Sequence, residues 1–275
     1  MADSTVLRAG PVTLTRVLYL DTTAPPEAVG LTMQQAHAVS WCDERWASDD
    51  GIGVSASAWV ASSGDQHVVI DPFRNADDIL HDPDSAEIHR AAITEAFAAS
   101  GIPVEAVTHV LLSHFEGLGL IVVRDGDGWT PLFPNAQIIA GDTALEDFAT
   151  AAQPEHWSTD VLRDLIGAGR ISAFADGDEI VPGVVVEHTG AHNPGHYVVH
   201  LGPGPDVTFV GHLAVSPLHL STGICVPQHV DPPQALDLLL GYAEDGRVLI
   251  SPLWPSPGAG RFLDGVFVPV ETAGV

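Results

Sequence analysis

Val107-Thr108-His109-Val110-Leu111-Leu112-Ser113-His114-Phe115-Glu116-Gly117-Leu118-Gly119 is the stretch on which the reading of this chain turns. Val107 to Leu112 form a short apolar run of the length and composition of a buried strand. A histidine and a carboxylate follow at its C-terminal mouth, where binding and catalytic groups tend to gather. His114 and Glu116 are two apart in a loop, close enough to turn toward one metal ion, and imidazole and carboxylate are both ordinary ligands. The same His-X-Glu pattern also arises by chance on solvated surfaces, so its meaning depends on what surrounds it.

Upstream, Val12 to Leu20 alternates as a strand does, and Asp21 to Val29 reads as a Pro-containing loop. Leu31 to Gly53 is irregular, with Trp41 and Trp46 among polar residues. Val54–Ala61 and His67–Asp71 read as two strands joined by the turn Ser62-Ser63-Gly64-Asp65. Ile88 to Ser100 has apolar residues at helical spacing and stops at Gly101, with Pro103 just beyond.

Downstream, Ile121–Val123, a turn at Asp125-Gly126-Asp127-Gly128 and a strand at Gln137–Ala140 precede a mostly helical segment from Asp142 to Arg170, broken near Pro154. Strands are expected at Val184–His188, Tyr197–Leu201, Val207–Val210 and Arg247–Ile250. A helix from Pro232 to Tyr242 has Asp231 as its cap. Strands dominate each half with helices interspersed, which points to an α+β protein of mixed sheets faced by helices.

The chain has 36 acidic and 10 basic residues, a formal net charge of −26, and every basic residue is arginine. Such a surface repels nucleic acid and anionic membranes and suits a neutral or cationic small-molecule substrate. With 275 residues and 45% apolar composition, one compact domain spanning 1–275 is expected. Cys42 and Cys225 show no disulfide or thiolate-metal spacing and read as two reduced, buried thiols. The N-terminal residues lack the pattern of a secretory signal and no apolar run reaches membrane-spanning length, so a cytoplasmic location is expected. The oligomeric state is left open, a homodimer included.

From the hairpin onward the order of landmarks resembles the metallo-β-lactamase superfamily, particularly its lactonase-like hydrolases. Ile70-Asp71 resembles a strand that ends in Asp. Leu111-Leu112-Ser113-His114 resembles the lead into the His-X-His-X-Asp-His motif. Asp176-Gly177-Asp178-Glu179-Ile180 and Gly190-Ala191-His192-Asn193-Pro194-Gly195-His196 resemble the strand and the Gly-His-Thr-Pro-Gly-His loop that follows it. Phe209-Val210-Gly211-His212 resembles the strand ending in Gly-Asp, and Leu253-Trp254-Pro255-Ser256-Pro257-Gly258-Ala259-Gly260-Arg261 the His-Phe-Pro-X-Pro-Gly-X-Gly-Arg segment. The resemblance implies a four-layer αββα sandwich and a metal-dependent enzyme.

It also implies a site altered from the two-metal pattern. At the positions that hold the first metal stand His114, Glu116 and His192. At those of the second stand Leu118, Gly119 and Leu253, none of which can bind metal through a side chain, and the bridging Asp is replaced by His212. Random decay would damage both halves alike, whereas here one half keeps a donor at every position. The expectation is one divalent ion, Zn, Fe or Mn, with Ni also suited, held by His114, Glu116, His192 and His212, of which Glu116 and His212 are also assigned to the chemistry. Hydrolysis of a lactone, ester or amide by metal-bound hydroxide is the first reading. An Fe or Mn oxygenase, or a lyase or isomerase, using three His and one Glu is the alternative. A catalytically silent binding protein is the third. Asp71 and His196 are expected in supporting roles, His109 and His200 in packing, and His219 and His229 either at the substrate pocket or exposed.

Overall fold

A computed structural model describes residues 5–72, 83–115, 122–125, 128–151, 157–204, 206–270 and 272–274. In chain order the elements of the first half are β1 (Val6–Ala9), β2 (Val12–Ala24), α1 (Met33–Ala38), β3 (Ala47–Ser48), β4 (Gly51–Ser63), β5 (Gln66–Ile70), α2 (Pro83–Ala99), β6 (His109–Leu112), β7 (Val122–Asp125), β8 (Gly128–Pro131) and β9 (Gln137–Gly141). There follow α3 (Asp142–Thr150), α4 (Trp157–Gly167), β10 (Ile171–Phe174), β11 (Glu179–Val181), β12 (Val184–His188), β13 (Tyr197–Leu201), β14 (Val207–Phe209), α5 (Leu218–Thr222), α6 (Pro232–Glu244), β15 (Val248–Ile250), β16 (Ala259–Leu263), β17 (Val266–Pro269) and β18 (Thr272–Gly274).

Among the described residues these strands form two large mixed sheets and the separate β7–β8 ribbon. The first sheet runs β10-β9-β6-β5-β4-β2-β1-β18, with β3 paired to β4, and the second runs from β11 to β17 in sequence order. Strands β5, β6, β9 and β10 are mutually parallel; the returning connections carry α2 between β5 and β6, the β7–β8 ribbon between β6 and β9, and α3 and α4 between β9 and β10. The α6 crossover does the same for β14 and β15 in the second sheet.

Three apolar layers hold this arrangement together. Ile93 and Phe97 of α2 with Val161 and Leu162 of α4 cover one face of the first sheet. Trp59, Ile70, Leu111 and Ile139 meet Val186, Tyr197, Val199 and Ile250 between the sheets. Ala235, Leu239 and Ala243 of α6 pack with Val198, Val210 and Leu249 on the far side. The result is the expected four-layer αββα sandwich. Strand β6 explains why its apolar run is continuous: Val110 and Leu112 belong to the helix-side core and Leu111 to the core between the sheets, so both faces are buried. No described helix is long and apolar enough to cross a membrane.

Several expectations need correction. Residues Asp21 to Ala24 are not a loop but the end of β2, paired with Ser55, Val54, Gly53 and Ile52 of β4. The irregular region contains α1, closed by a capping box in which Thr32 Oγ1 accepts from Gln35 N and Gln35 Oε1 accepts from Thr32 N. Strand β1 precedes the first expected strand, and β16 to β18 follow the one expected to be last. Both cysteines are free but only half-buried. The break near Pro154 lies outside the described residues.

The sandwich puts the mouths of β5, β6, β12, β14 and β15 at one end. A backbone bond from Tyr197 N to the Ser113 carbonyl, 2.8 Å, ties the two sheets together there.

Candidate metal centre

Strand β6 delivers His114 to that end, and its imidazole is oriented by the residue before it. Ser113 N donates to Asp71 Oδ1 at 2.7 Å, and the Ser113 hydroxyl donates to Asp71 Oδ2. Ser113 Oγ lies 2.8 Å from His114 Nδ1. A hydroxyl has one proton to give. Once Ser113 gives it to the carboxylate, its oxygen can only accept, so Nδ1 is the protonated nitrogen of His114 and Nε2 carries the lone pair. Asp71 is fully buried and has a φ of 42°, uncommon for a residue with a side chain, which turns its carboxylate back onto Ser113. Burial pushes this carboxyl up to about 7, against the two Ser113 hydrogen bonds that pull it down.

His192 comes from the loop between β12 and β13. That loop closes on itself through Thr189 N to His196 O, His196 N to Asn193 O, and Gly195 N to Asn193 Oδ1. Gly195 lets it lie against α3: a Cβ there would stand 2.5 Å from Ala144 Cα, so only glycine fits. Gly195→Ala is therefore expected to destabilise the fold by about 1–3 kcal/mol through overpacking, seen as a lower urea midpoint with an unchanged slope. His212 sits in the 3₁₀ turn Gly211–Leu213 that ends β14, where Val210 N donates to Ile250 O. Gly211 has a φ of +52°, and a Cβ there would come within 3.2 Å of His196 Nε2.

The structure brings three of the sequence-predicted residues together. His114, His192 and His212 each offer a ring nitrogen, all within 4.8 Å of one another. His114 Nε2 and His212 Nδ1 are 2.6 Å apart, closer than the about 2.9 Å usual for a bond from N–H. The His114 ring centroid is 5.1 Å from that of His192 and 4.6 Å from that of His212. His114 and His192 are buried, at 1% and 3% exposure, and His212 is half-buried and faces outward more than its partners. Glu116, Leu118 and Gly119 lie outside the described residues. Leu253 is half-buried on the loop after β15, its carbonyl accepting from Ser55 N at 2.8 Å.

Two further histidines flank the trio. His196 is fully buried; its Nδ1 meets Thr189 Oγ1 at 2.8 Å, and its Nε2 has no hydrogen-bond partner among the described residues. Burial and the neighbouring histidines push its pKa well down, so it is neutral. Of the two places expected for His229, exposure at the surface is contradicted: it is 8% exposed and its Nδ1 lies 3.0 Å from His192 Nδ1. His219 is also buried, at 1% exposure, donating from Nδ1 to the Ile224 carbonyl; burial pushes its pKa down to about 4. His109 bonds Thr108, the residue just before β6, and His200 packs edge-on against Tyr242 of α6, as expected of a packing residue, while also joining a polar network with Glu187 and Arg247. Two surface clefts of about 600 and 610 Å³ lie elsewhere, against α2 and α6, and none of the clustered histidines lines either.

Three imidazoles converging from three separate segments form a set of the kind that holds a divalent transition ion. The lone pair of His114 points into the set because its other nitrogen is engaged as a donor.

No protein-family model matches the sequence, and no curated protein matches it either. Solved structures do. A hydrolase of the beta-lactamase superfamily, AbOPH, is 21% identical over 98% of both chains, with a TM-score of 0.75. AidC, a dizinc quorum-quenching lactonase solved with a product, is 14% identical over 97% of both chains, with a TM-score of 0.72. A probable metal-dependent hydrolase from Staphylococcus aureus is 14% identical over 97% of this chain and 99% of its own, with a TM-score of 0.70.

Proposed function

We propose that this chain, which has the metallo-β-lactamase fold, is a metal-dependent hydrolase of small organic substrates, with one divalent ion held by His114, Glu116, His192 and His212. The observation that supports this most directly is the convergence of three ring nitrogens within 4.8 Å at one end of the sandwich. His114 enters that set with its tautomer already chosen by Ser113 and Asp71. The outer partners of metal-binding imidazoles act in this way, holding the ring and leaving the ligating nitrogen free.

When bound, such an ion polarises a carbonyl and acidifies water at neutral pH. The protein's own contribution is to hold the imidazoles in place and to present substrate. His212, the most accessible of the three, and Glu116, two residues beyond His114, are the groups we place against the substrate. The substrate class is a lactone, ester or amide, and the net charge of −26 favours a neutral or cationic molecule over an anionic one. A single ion is favoured over two because Leu253, Leu118 and Gly119 offer no side-chain donor at the second position.

Metal analysis of protein purified without added metal tests this. The expected content is about one zinc per chain, removed by chelator together with esterase or lactonase activity. Two metals per chain would overturn the single-ion site. Stoichiometric iron or manganese with dioxygen consumption would replace hydrolysis by the oxygenase reading, and a metal-free protein that binds substrate without converting it would replace both by a binding role.

A further inference from the structure

His229 belongs to none of the landmarks that mark the site, yet it is buried between two of its segments. Its Nε2 lies 3.3 Å from the carbonyl of Leu213, the residue next to His212, and its Nδ1 lies 3.0 Å from His192 Nδ1. A carbonyl oxygen only accepts, so Nε2 is the nitrogen of His229 that carries the proton. In the neutral ring Nδ1 is then an acceptor, and the proton in the 3.0 Å contact belongs to His192 Nδ1. His192 is thereby left with its lone pair on Nε2.

The backbone holds the contact in place. Val230 N donates to His192 O and Asp231 N to Ala191 O, each at 3.1 Å, so residues 230 and 231 run alongside the ligand loop. Asp231 then caps α6 by accepting from Gln234 N, and Gln234 Nε2 donates to Thr189 O. The start of α6 is thus fastened to the loop at three points, and His229 sits at the inner end of the fastening. The helix-capping aspartate and the buried histidine two residues before it form one device.

We infer that His229 is a positioning residue for metal binding: it fixes the tautomer of His192 and ties that ring to the turn that carries His212. This rests on the reading of His192 as a ligand. On the other side of the site a buried carboxylate, Asp71, orients His114 through Ser113. Here an imidazole does the corresponding work and adds no negative charge, so a cation between the two histidines keeps more of its own charge for polarising a substrate.

The test compares His229→Asn, His229→Leu and His229→Gln with the wild-type chain. Asparagine places an acceptor oxygen near the position of Nδ1, glutamine places its polar end near that of Nε2, and leucine does neither. The measurements are zinc affinity by chelator competition, the d–d spectrum of the cobalt(II)-loaded protein, and thermal unfolding of the metal-free proteins. The Leu and Gln variants are expected to lose affinity by about 10–100-fold with a shifted cobalt spectrum, while Asn stays within a few-fold of wild type and keeps its spectrum. If the Leu variant fails to fold, Asn against Gln still decides. Affinity unchanged in Leu or Gln, or lost equally in Asn, would overturn the inference while leaving the ligand reading intact. A wild-type chain that binds neither zinc nor cobalt would instead overturn the ligand reading, and this inference with it.

Discussion

His192→Ala is expected to yield a folded protein that no longer retains metal through purification. The loop around residue 192 is closed by its own backbone bonds, from Thr189 to His196 and from His196 to Asn193, and fastened by Val230 N and Asp231 N; none of these uses the imidazole. The side chain can be removed without removing what folds the loop. What is lost is one of three converging nitrogens. Removing an outer partner of a ligand typically costs 10–100-fold in affinity, and removing a ligand itself is expected to cost more, on the order of 1,000-fold or greater. Metal content by mass spectrometry and apo-protein melting by circular dichroism read the two effects separately. A variant that keeps one metal per chain would remove His192 from the site.

Arg16→Met is expected to produce a large loss of stability at a place away from the histidines. The Arg16 guanidinium is fully buried at the end of the sandwich that carries the site. It donates to Ser57 Oγ at 3.2 Å, Ser55 Oγ at 2.7 Å, Ser256 Oγ at 2.9 Å and the Trp254 carbonyl at 2.7 Å. Asp21, 3.7 Å away, supplies the opposite charge and itself accepts from Ser55 and Ser256. Methionine keeps much of the volume and none of the donors, leaving the Trp254 carbonyl buried without its partner. Because Asp21 is 39% exposed, water screens part of the charge, so the expected cost is about 3 kcal/mol, mostly from unsatisfied polar atoms. That corresponds to a drop in Tm on the order of 10 °C, measured by calorimetry. A change below about 1 kcal/mol would mean that the network is dispensable.

How much of this was legible in the sequence can be judged residue by residue. Strand β6 was, because burial on both faces makes Val110 to Leu112 continuously apolar. The end of β2 was not: Asp21, Thr22 and Thr23 are polar, stand before Pro25, and become strand only because β4, thirty residues later, offers a ladder to pair with. Helix α1, six residues long, is too short for periodicity to show, and its only signal was the Thr32–Gln35 box. The hairpin β16–β17 carries the exposed residues Leu263, Val266 and Val268, so it lacks the inside–outside contrast by which strands are recognised.

The same division runs through the site. His114, His192 and His212 stand in recognisable local patterns, and the structure brings them together. His229 stands in Pro227-Gln228-His229-Val230-Asp231-Pro232, which by composition is a surface turn, and its burial comes from a loop 37 residues earlier in the chain. The pairing of a histidine with the helix cap two residues on was the one available signal. The sequence marks Asp71 as a supporting residue, but its reach through Ser113 to a particular nitrogen of His114 depends on a backbone φ that composition does not encode.

The 2.8 Å bond from Tyr197 N to the Ser113 carbonyl also divides the protein in a way that bears on how it could be taken apart. Every described strand before about residue 175 belongs to the first sheet, apart from the β7–β8 ribbon, and, except for the terminal β18, every described strand after it belongs to the second. One histidine of the trio belongs to the first part and two to the second, so neither part alone contains the set. A chain cut in the turn between β10 and β11 would hold its metal only when the two pieces had found each other. The ion would then serve as a readout of reassembly, bound when the seam has closed and released when it opens.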